Sequence, residues 1–357
     1  EVTTLYNEVY CVPTIVPTDY FNPVLYTGNG TSQSITGVGF QPDLTWIKDR
    51  VGTDNHVLQD SIRGVNSVLF SNLTNSESAD TDNITSFDSD GFSLGSSTRV
   101  NANGENHVAW NWKAADTTTT IAAGTVGNTI ASDVRANTDA GFSIVSYTGN
   151  ASYGQTVAHG IDTPELIIIK NRDDSRNWRT YAKPIGATKY LNLDETSAEA
   201  TYGSFNNTEP TTSVFSTTSN VADKATNFNG NNFIAYCFHS VDGFSKIGSY
   251  DGGTITSSNP VYLGFRPAFV MFKTTQTGNE WLIYDNKRDT TSTFKHILYP
   301  SSSIAEGVST SDNYNLYTTS NGFYFNNTVG YLNNSASDVI FMAFAEEVFN
   351  PNGVTRN

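Results

Sequence analysis

Short apolar runs separated by polar turns set the rhythm of this chain. Leu166-Ile-Ile-Ile169 and Phe269-Val-Met-Phe272 are apolar at every position, so both faces of a pleated strand would be buried. Each run is short, follows a proline, precedes a lysine and is rich in β-branched or aromatic residues. That pattern predicts a central strand rather than a helix. Asn29-Gly30, Asp90-Gly91, Asn103-Gly104, Asp242-Gly243 and Asn321-Gly322 supply residues that tolerate positive φ in tight turns. Helical periodicity is scarce, and only residues 196–200 and 301–306 predict a single helical turn each.

The runs recur in one order three times. Phe21-Asn-Pro-Val-Leu-Tyr26-Thr-Gly28 returns as Phe142-Ser-Ile-Val-Ser-Tyr147-Thr-Gly149, and, one residue longer, as Phe244-Ser-Lys-Ile-Gly-Ser-Tyr250-Asp-Gly252. A proline and a lysine six residues later follow in each copy: Pro42 and Lys48, Pro164 and Lys170, Pro267 and Lys273. A further strand opens at His56, Trp178 and Trp281. A leucine segment follows at Leu69, Leu191 and Leu298, and the copies close on Val108-Ala-Trp110, Ile234-Ala-Tyr236 and Met342-Ala-Phe344. The unit is about a hundred residues, the size of a whole β-sandwich and too long for a solenoid or propeller repeat. The expectation is an all-β chain of three tandem β-sandwich (jelly-roll-like) repeats at 20–115, 141–240 and 241–349. Residues 116–140 read as a linker or an edge hairpin, because the Thr/Ala/Gly-rich stretch also carries β-branched residues. Residues 1–19 read as the end of a preceding domain or a linker, and 350–357 as a C-terminal tail.

Composition narrows the function classes. Charged residues are 15% and aromatics 12%, with 18 Tyr and 21 Phe. That disfavours a coiled coil and disorder. No apolar run approaches the ~20 residues of a membrane-spanning helix. Twenty Lys+Arg against 35 Asp+Glu give a net charge of −15, which disfavours nucleic acid and anionic membranes as partners. Uncharged sugars fit such a surface, and the acidity also keeps it soluble. The two cysteines, Cys11 and Cys237, make no disulfide framework, and Cys237 sits in an apolar run as a small buried hydrophobe.

Candidate chemistry is thin. His56, His107, His159, His239 and His296 show no zinc-ligand spacing, and no cofactor is implied. His56 stands where Trp178 and Trp281 stand, which points to ring packing. No nucleophile elbow, phosphate loop or dinucleotide fingerprint occurs. Asp88-Ser-Asp90-Gly91 is the densest acid pair and a weak metal candidate, but Asp90-Gly-Phe92 recurs as Asn321-Gly-Phe323 without its acid, so turn formation is its expected work. Exposed aromatics are the other source of function. Tyr153, Tyr202, Tyr314, Tyr317 and Tyr331 fall in segments that vary between the copies, and are the glycan-binding candidates.

Tyr26-Thr-Gly-Asn-Gly30, Gly39-Phe-Gln-Pro-Asp-Leu-Thr-Trp-Ile-Lys48, Val108-Ala-Trp-Asn-Trp-Lys113, Gly264-Phe-Arg-Pro-Ala-Phe-Val-Met-Phe-Lys273 and Phe341-Met-Ala-Phe-Ala-Glu346 resemble repeats found in tailed-bacteriophage tail-fibre and virion structural proteins. Glu1-Val-Thr-Thr-Leu-Tyr-Asn-Glu8 resembles the closing segment of a laminin-G-like sandwich. The resemblance implies a non-enzymatic virion component, made in the host cytoplasm, that contacts other virion proteins and presents loops to host-surface polysaccharide. A homotrimer is expected by analogy with fibres. The alternatives are a purely structural virion or filament subunit, and a secreted carbohydrate-binding module or depolymerase.

Overall fold

The computed structural model describes residues 15–218, 224–276, 278–328, 331–335 and 338–346. Cys11, most of the 1–19 segment and the 350–357 tail lie outside the described residues. The described chain is all-β, with antiparallel sheets, one short helix at Thr98–Asn101 and one 3-10 turn at Pro17–Asp19.

Three large sheets share one strand order. In the first, Phe21–Thr27 is followed across the sheet by Asn106–Trp112, Leu44–Asp49, Val57–Asp60 and Ser67–Phe70. The second runs Phe142–Thr148, Asn232–Phe238, Leu166–Asn171, Arg179–Ala182 and Lys189–Asn192. The third runs Ser245–Asp251, Asp338–Ala345, Pro267–Thr274 and Leu282–Asp285. In each sheet the closing strand inserts between the first two, which explains why it is the most apolar. Residues 116–140 contribute Thr119–Ile121 and Ser132–Asn137, which extend the second sheet beyond Phe142–Thr148. Arg135 on this hairpin reaches back to Asp43, Nη1 to Oδ1 at 2.7 Å.

Each large sheet is buried on both faces. Leu44, Trp46, Leu58 and Trp110 point into one apolar cluster, and Ile47, Val57, Val68 and Ala109 into another. The second face is covered by a small outer sheet: Gln33–Thr36, Gly91–Leu94 and Ile84–Asp88 in the first case. Gln155–Ala158 with Val214–Thr217 covers the second sheet, and four short strands ending at Tyr324 cover the third. The first face of all three sheets packs into a single central cluster, so three sandwiches share one core.

The three sheets meet in a ring of aromatics. Trp112, Phe238 and Phe344 hold the same register position, opposite Leu44, Leu166 and Phe269 on the neighbouring strand. Their centroids lie 6.3 Å (Trp112–Phe238), 5.9 Å (Trp112–Phe344) and 6.2 Å (Phe238–Phe344) apart. A near-equilateral triangle of equivalent residues marks an approximate threefold axis within one chain.

The seams between sandwiches repeat the same devices. The main-chain N–H of Glu77 donates to the Arg172 carbonyl at 2.7 Å, that of Glu199 to Thr275 at 3.1 Å, and that of Glu306 to Arg50 at 2.9 Å. These bonds hold residues 196–200 and 301–306 in extended or irregular conformation. The helical turns expected there do not form, because their backbone groups are taken by a neighbouring sandwich.

Trp178 Nε1 donates to the Phe70 carbonyl at 2.8 Å, and Trp281 Nε1 to that of Asn192 at 2.9 Å. His56 takes the third place, where its Nδ1 accepts from Trp46 Nε1 at 2.9 Å. Burial, with Lys48 nearby, pushes the His56 pKa well below its ordinary value, so the ring is a neutral packing element.

In two of the three copies the repeated lysine is also a seam element, whereas Lys48 Nζ donates to the Asp49 and Gly52 carbonyls of its own sandwich. Lys170 Nζ donates to the carbonyls of Thr74, Asn171 and Arg176 at 3.0, 2.9 and 2.8 Å, and Lys273 Nζ to those of Thr196 and Asn279 at 2.9 and 2.6 Å.

One seam differs from the other two. Tyr236 Oη donates to Asp60 Oδ2 at 2.8 Å, with Arg63 Nε on the same carboxylate at 2.5 Å. Trp110 Nε1 donates to Asp285 Oδ2 at 2.9 Å, with Arg288 Nε at 2.6 Å. At the third seam the corresponding residues are Met342 and Ala182, in the central apolar cluster, and Ile185, partly buried against it. Acid, arginine and donor vanish together, because a buried polar group left without partners is costly.

Candidate functional site

The first strand of each large sheet runs out from the aromatic triangle and ends in a loop about 20 Å away. All three loops hang on the same anchor. Tyr26, Tyr147 and Tyr250 donate from Oη to the carbonyls of Val100, Thr226 and Leu332 at 2.7, 2.7 and 2.8 Å. The next residue in each case is a buried asparagine. Asn101 Oδ1 accepts from the Asn29 N–H, Asn227 Oδ1 from Asn150, and Asn333 Oδ1 from Gly253, at 2.8, 2.8 and 2.9 Å. The amide nitrogens donate back into the same loops, Asn101 to Thr31, Asn227 to Ser152 and Asn333 to Ile255. Gly28 and Gly149 in the repeated Tyr-Thr-Gly motif are required here, since a β-carbon would strike the Ala102 or Phe228 carbonyl. The tyrosines were legible in the sequence. The asparagines were missed, although Val100-Asn101, Thr226-Asn227 and Leu332-Asn333 share a signal of an apolar or small residue before Asn just ahead of each closing strand.

The described ends of the chain lie at the opposite, convergent end of the sheets. The Lys113 N–H donates to the Tyr20 carbonyl and the Ala345 N–H to that of Phe244, and the Tyr20 and Phe244 rings meet edge-on at 6.3 Å.

The loop of the second sandwich is the one that carries an exposed ring. Tyr153 is 73% exposed. The backbone around it is pinned: Ser152 N–H donates to Asn150 Oδ1 at 3.0 Å, Asn227 Nδ2 to the Ser152 carbonyl at 2.8 Å, and Gln155 Nε2 to the Tyr153 carbonyl at 3.1 Å. Residues 203–208 lie beside it, where a β-carbon on Gly154 would stand 3.5 Å from Asn206 Nδ2. Thr226 Oγ1 donates to the Ser204 carbonyl at 2.9 Å and ties these segments to 224–228. Among the described residues, the non-glycine positions with left-handed backbone are Ala151, Asn206, Asn207 and Lys224 (φ 56°, 53°, 48° and 50°). All four belong to this corner, and such strain concentrates at functional loops.

The other tyrosine candidates are placed differently. Tyr202 is half-buried at the start of the neighbouring segment. Tyr314 and Tyr331 are half-buried, pack against each other at 5.6 Å and cover the core of the third sandwich. Tyr331 Oη also accepts from the Glu280 N–H. Tyr317 lies on the regular strand Leu316–Thr319, stacks on Tyr324 at 5.2 Å and donates to Asp312 at 2.8 Å. The structure therefore does not bring the five together. Composition drew attention to Tyr residues in variable segments, and packing sets Tyr153 apart. Tyr262, which is 62% exposed in a short outer strand, was missed.

Asp88 and Asp90 do not converge on a metal position. Asp88 accepts from Ser86 and Ser93 hydroxyls at 2.8 and 2.7 Å. Asp90 accepts from the Gly37 and Gly39 N–H groups at 3.1 and 2.7 Å, and Asn321 caps Gly264 in the same way at 2.9 Å. Among the described residues no three His, Cys, Asp or Glu side chains are grouped to hold a metal. Histidine partners are also structural: His159 lies on the Thr211 carbonyl, His239 on that of Thr163 and His296 on Asp289. Glu105 lies in hydrogen-bonding contact with Asp49. The hydrogen bond and charge of Asp49 push Glu105 above the ordinary carboxylate range.

A family model described as "Domain of unknown function (DUF7483)" matches residues 16–348. The chain belongs to this family. No curated protein matches it. A solved structure titled "Crystal Structure of the STIV MCP" aligns over 66% of this chain and 96% of its own, at 9% identity and a TM-score of 0.18. A likeness that slight carries no argument.

Proposed function

We propose that this DUF7483 protein is a non-enzymatic virion component, a tail fibre or similar appendage, that presents loops to host-surface polysaccharide. The observation that supports the reading is the Tyr–Asn anchor used three times to hold loops of different sequence on a rigid scaffold. That is the division of labour of a binding protein, in which the frame is constant and the contacts vary. The virion assignment itself rests on the resemblance of the repeated motifs. The homotrimer expectation rests on the fibre analogy alone.

The second reading is a structural subunit whose surface contacts other subunits. Val51, Ile304 and Val308 favour it, being 56%, 47% and 56% exposed on either side of the bonded Arg50 and Glu306 segments.

The test is binding of the purified chain to a panel of bacterial surface polysaccharides, with product release followed in the same wells. Saturable binding without release supports the adhesin. Release of oligosaccharide would overturn the non-enzymatic reading. No binding at high chain concentration would move the assignment to the structural subunit.

A further inference from the structure

We infer that the far end of the second sandwich is a subsite for one uncharged sugar ring, with Tyr153 as the stacking platform and the Asn206 side chain as its hydrogen-bonding rim. The inference rests on the polysaccharide reading above and adds where the contact is made and what charge the ligand carries.

Three independent features converge on this corner. Tyr153 is exposed while the backbone on both sides of it is tied down, so the ring is offered to solvent at little further ordering cost on binding. A flat aromatic face held this way suits the C–H face of a pyranose, and tyrosine gives large contact area with few rotatable bonds. Asn206 and Asn207 are both in left-handed conformation, φ 53° and 48°; the Asn207 amide lies over Gly203, and the Asn206 amide lies beside Gly154, the residue after the platform. An amide offers both donors and an acceptor, which matches vicinal hydroxyls.

The third feature is charge. Residues 150–158 and 202–208 contain no Asp, Glu, Lys or Arg. Two flanking charges are engaged. Glu209 accepts from Tyr181 Oη at 2.5 Å and the Ala187 N–H at 2.7 Å, and Lys224 Nζ lies 4.0 Å over the Phe228 ring. Lys224 keeps its charge but is held on the Phe228 ring, so a carboxylated or phosphorylated sugar would meet no cation in 150–158 or 202–208, and the net charge of −15 would repel it. Tyr262, 62% exposed, stands instead on a short outer strand with Lys246 Nζ on its carbonyl at 2.8 Å, which makes it the internal control.

The experiment is titration of the full chain with two sets of fragments: uncharged oligomers of glucose, galactose, mannose and N-acetylglucosamine, and acidic hyaluronan fragments. Tyr153→Ala, Asn206→Ala and Tyr262→Ala are run beside the parent, with circular dichroism to show that each variant is folded. The expected result is saturable binding of an uncharged oligomer, weakened tenfold or more by Tyr153→Ala and several-fold by Asn206→Ala, and unchanged by Tyr262→Ala. Equal binding by the parent and a folded Tyr153→Ala variant overturns this subsite and leaves the polysaccharide reading standing. Preference for the acidic fragments also overturns it. If the parent binds neither these oligomers nor any surface polysaccharide, both fail together, and capture of a protein partner would point to the structural subunit.

Discussion

Arg50 and Glu306 stand 256 positions apart and meet in a two-point ion pair, Nε to Oε1 at 3.0 Å and Nη2 to Oε2 at 2.8 Å. The pair closes the seam between the first and third sandwiches, the one seam that no stretch of described chain crosses. Arg288 adds a third bond to Oε1 at 3.0 Å. Burial opposes ionisation of Glu306, but the Arg50 and Arg288 contacts outweigh it and hold the carboxyl below its ordinary range. A depressed carboxylate stabilises the fold above the unfolded-state value and loses that effect as pH falls through the folded-state value. Glu306→Gln takes the ionic partner from Arg50 and one of two from Arg288, which keeps Asp285, and should cost about 1–3 kcal/mol at neutral pH. Chemical denaturation of parent and variant should show the gap narrowing below pH ~4.5. A gap independent of pH would mean the charge is not what matters.

The aromatic triangle makes a stronger demand. Trp112 is 2% exposed and touches both equivalent rings. Truncation to alanine should cost about 3–5 kcal/mol. Because all three sandwiches share this core, heat should unfold them in one transition. A calorimetric trace of the Trp112→Ala protein with one sandwich melting apart from an unchanged remainder would contradict a shared core.

Asp90 offers a test in which two substitutions part company. Asn321 performs the same capping in the third sandwich without a charge. Asp90 accepts with both oxygens, so Asp90→Asn keeps the Gly39 bond but turns an amide NH2 towards the Gly37 N–H and should cost about 0.5–1 kcal/mol in denaturant, whereas Asp90→Ala, which strips both N–H groups of their acceptor, should cost about 1–2 kcal/mol. Equal losses in both variants would assign the carboxylate a role beyond capping.

Lys170 gives a pH dependence of the opposite kind. Burial, only partly offset by Asp194, pushes its pKa from 10.5 down to about 8. A lysine with a lowered folded-state value binds fewer protons folded than unfolded between those two limits. Its contribution to stability should therefore rise as pH climbs from about 8 towards 10.5. Measured against Lys170→Met, which removes this titration, the parent should gain ground across that window. A flat difference would show that the ammonium is solvated better than its three carbonyl partners suggest.

The strands were legible because their chemistry is local. Leu166–Ile169 and Phe269–Phe272 are apolar at every position, and no surface strand has that pattern. The Asp90 turn was legible for a similar reason, through its uncharged counterpart Asn321. Residues 196–200 and 301–306 were misread as helical turns, since short-range periodicity cannot register that Thr275 and Arg50 claim their N–H groups. The binding candidate was half legible. Composition marked five tyrosines alike, and only packing covered Tyr314, Tyr317 and Tyr331 while leaving Tyr153 open.

By itself the sequence determined that this is an all-β chain whose strands bury both faces, because alternation and its absence are properties of the strand alone. What buries the second face is a different matter. Another sheet of the same unit, a neighbouring unit or a second chain would all satisfy the same apolar pattern. The tertiary structure decided that Trp112, Phe238 and Phe344 face one another. That choice depends on shape complementarity and on seam partners such as Asp60 with Tyr236, and these are brought together only when the whole chain has folded.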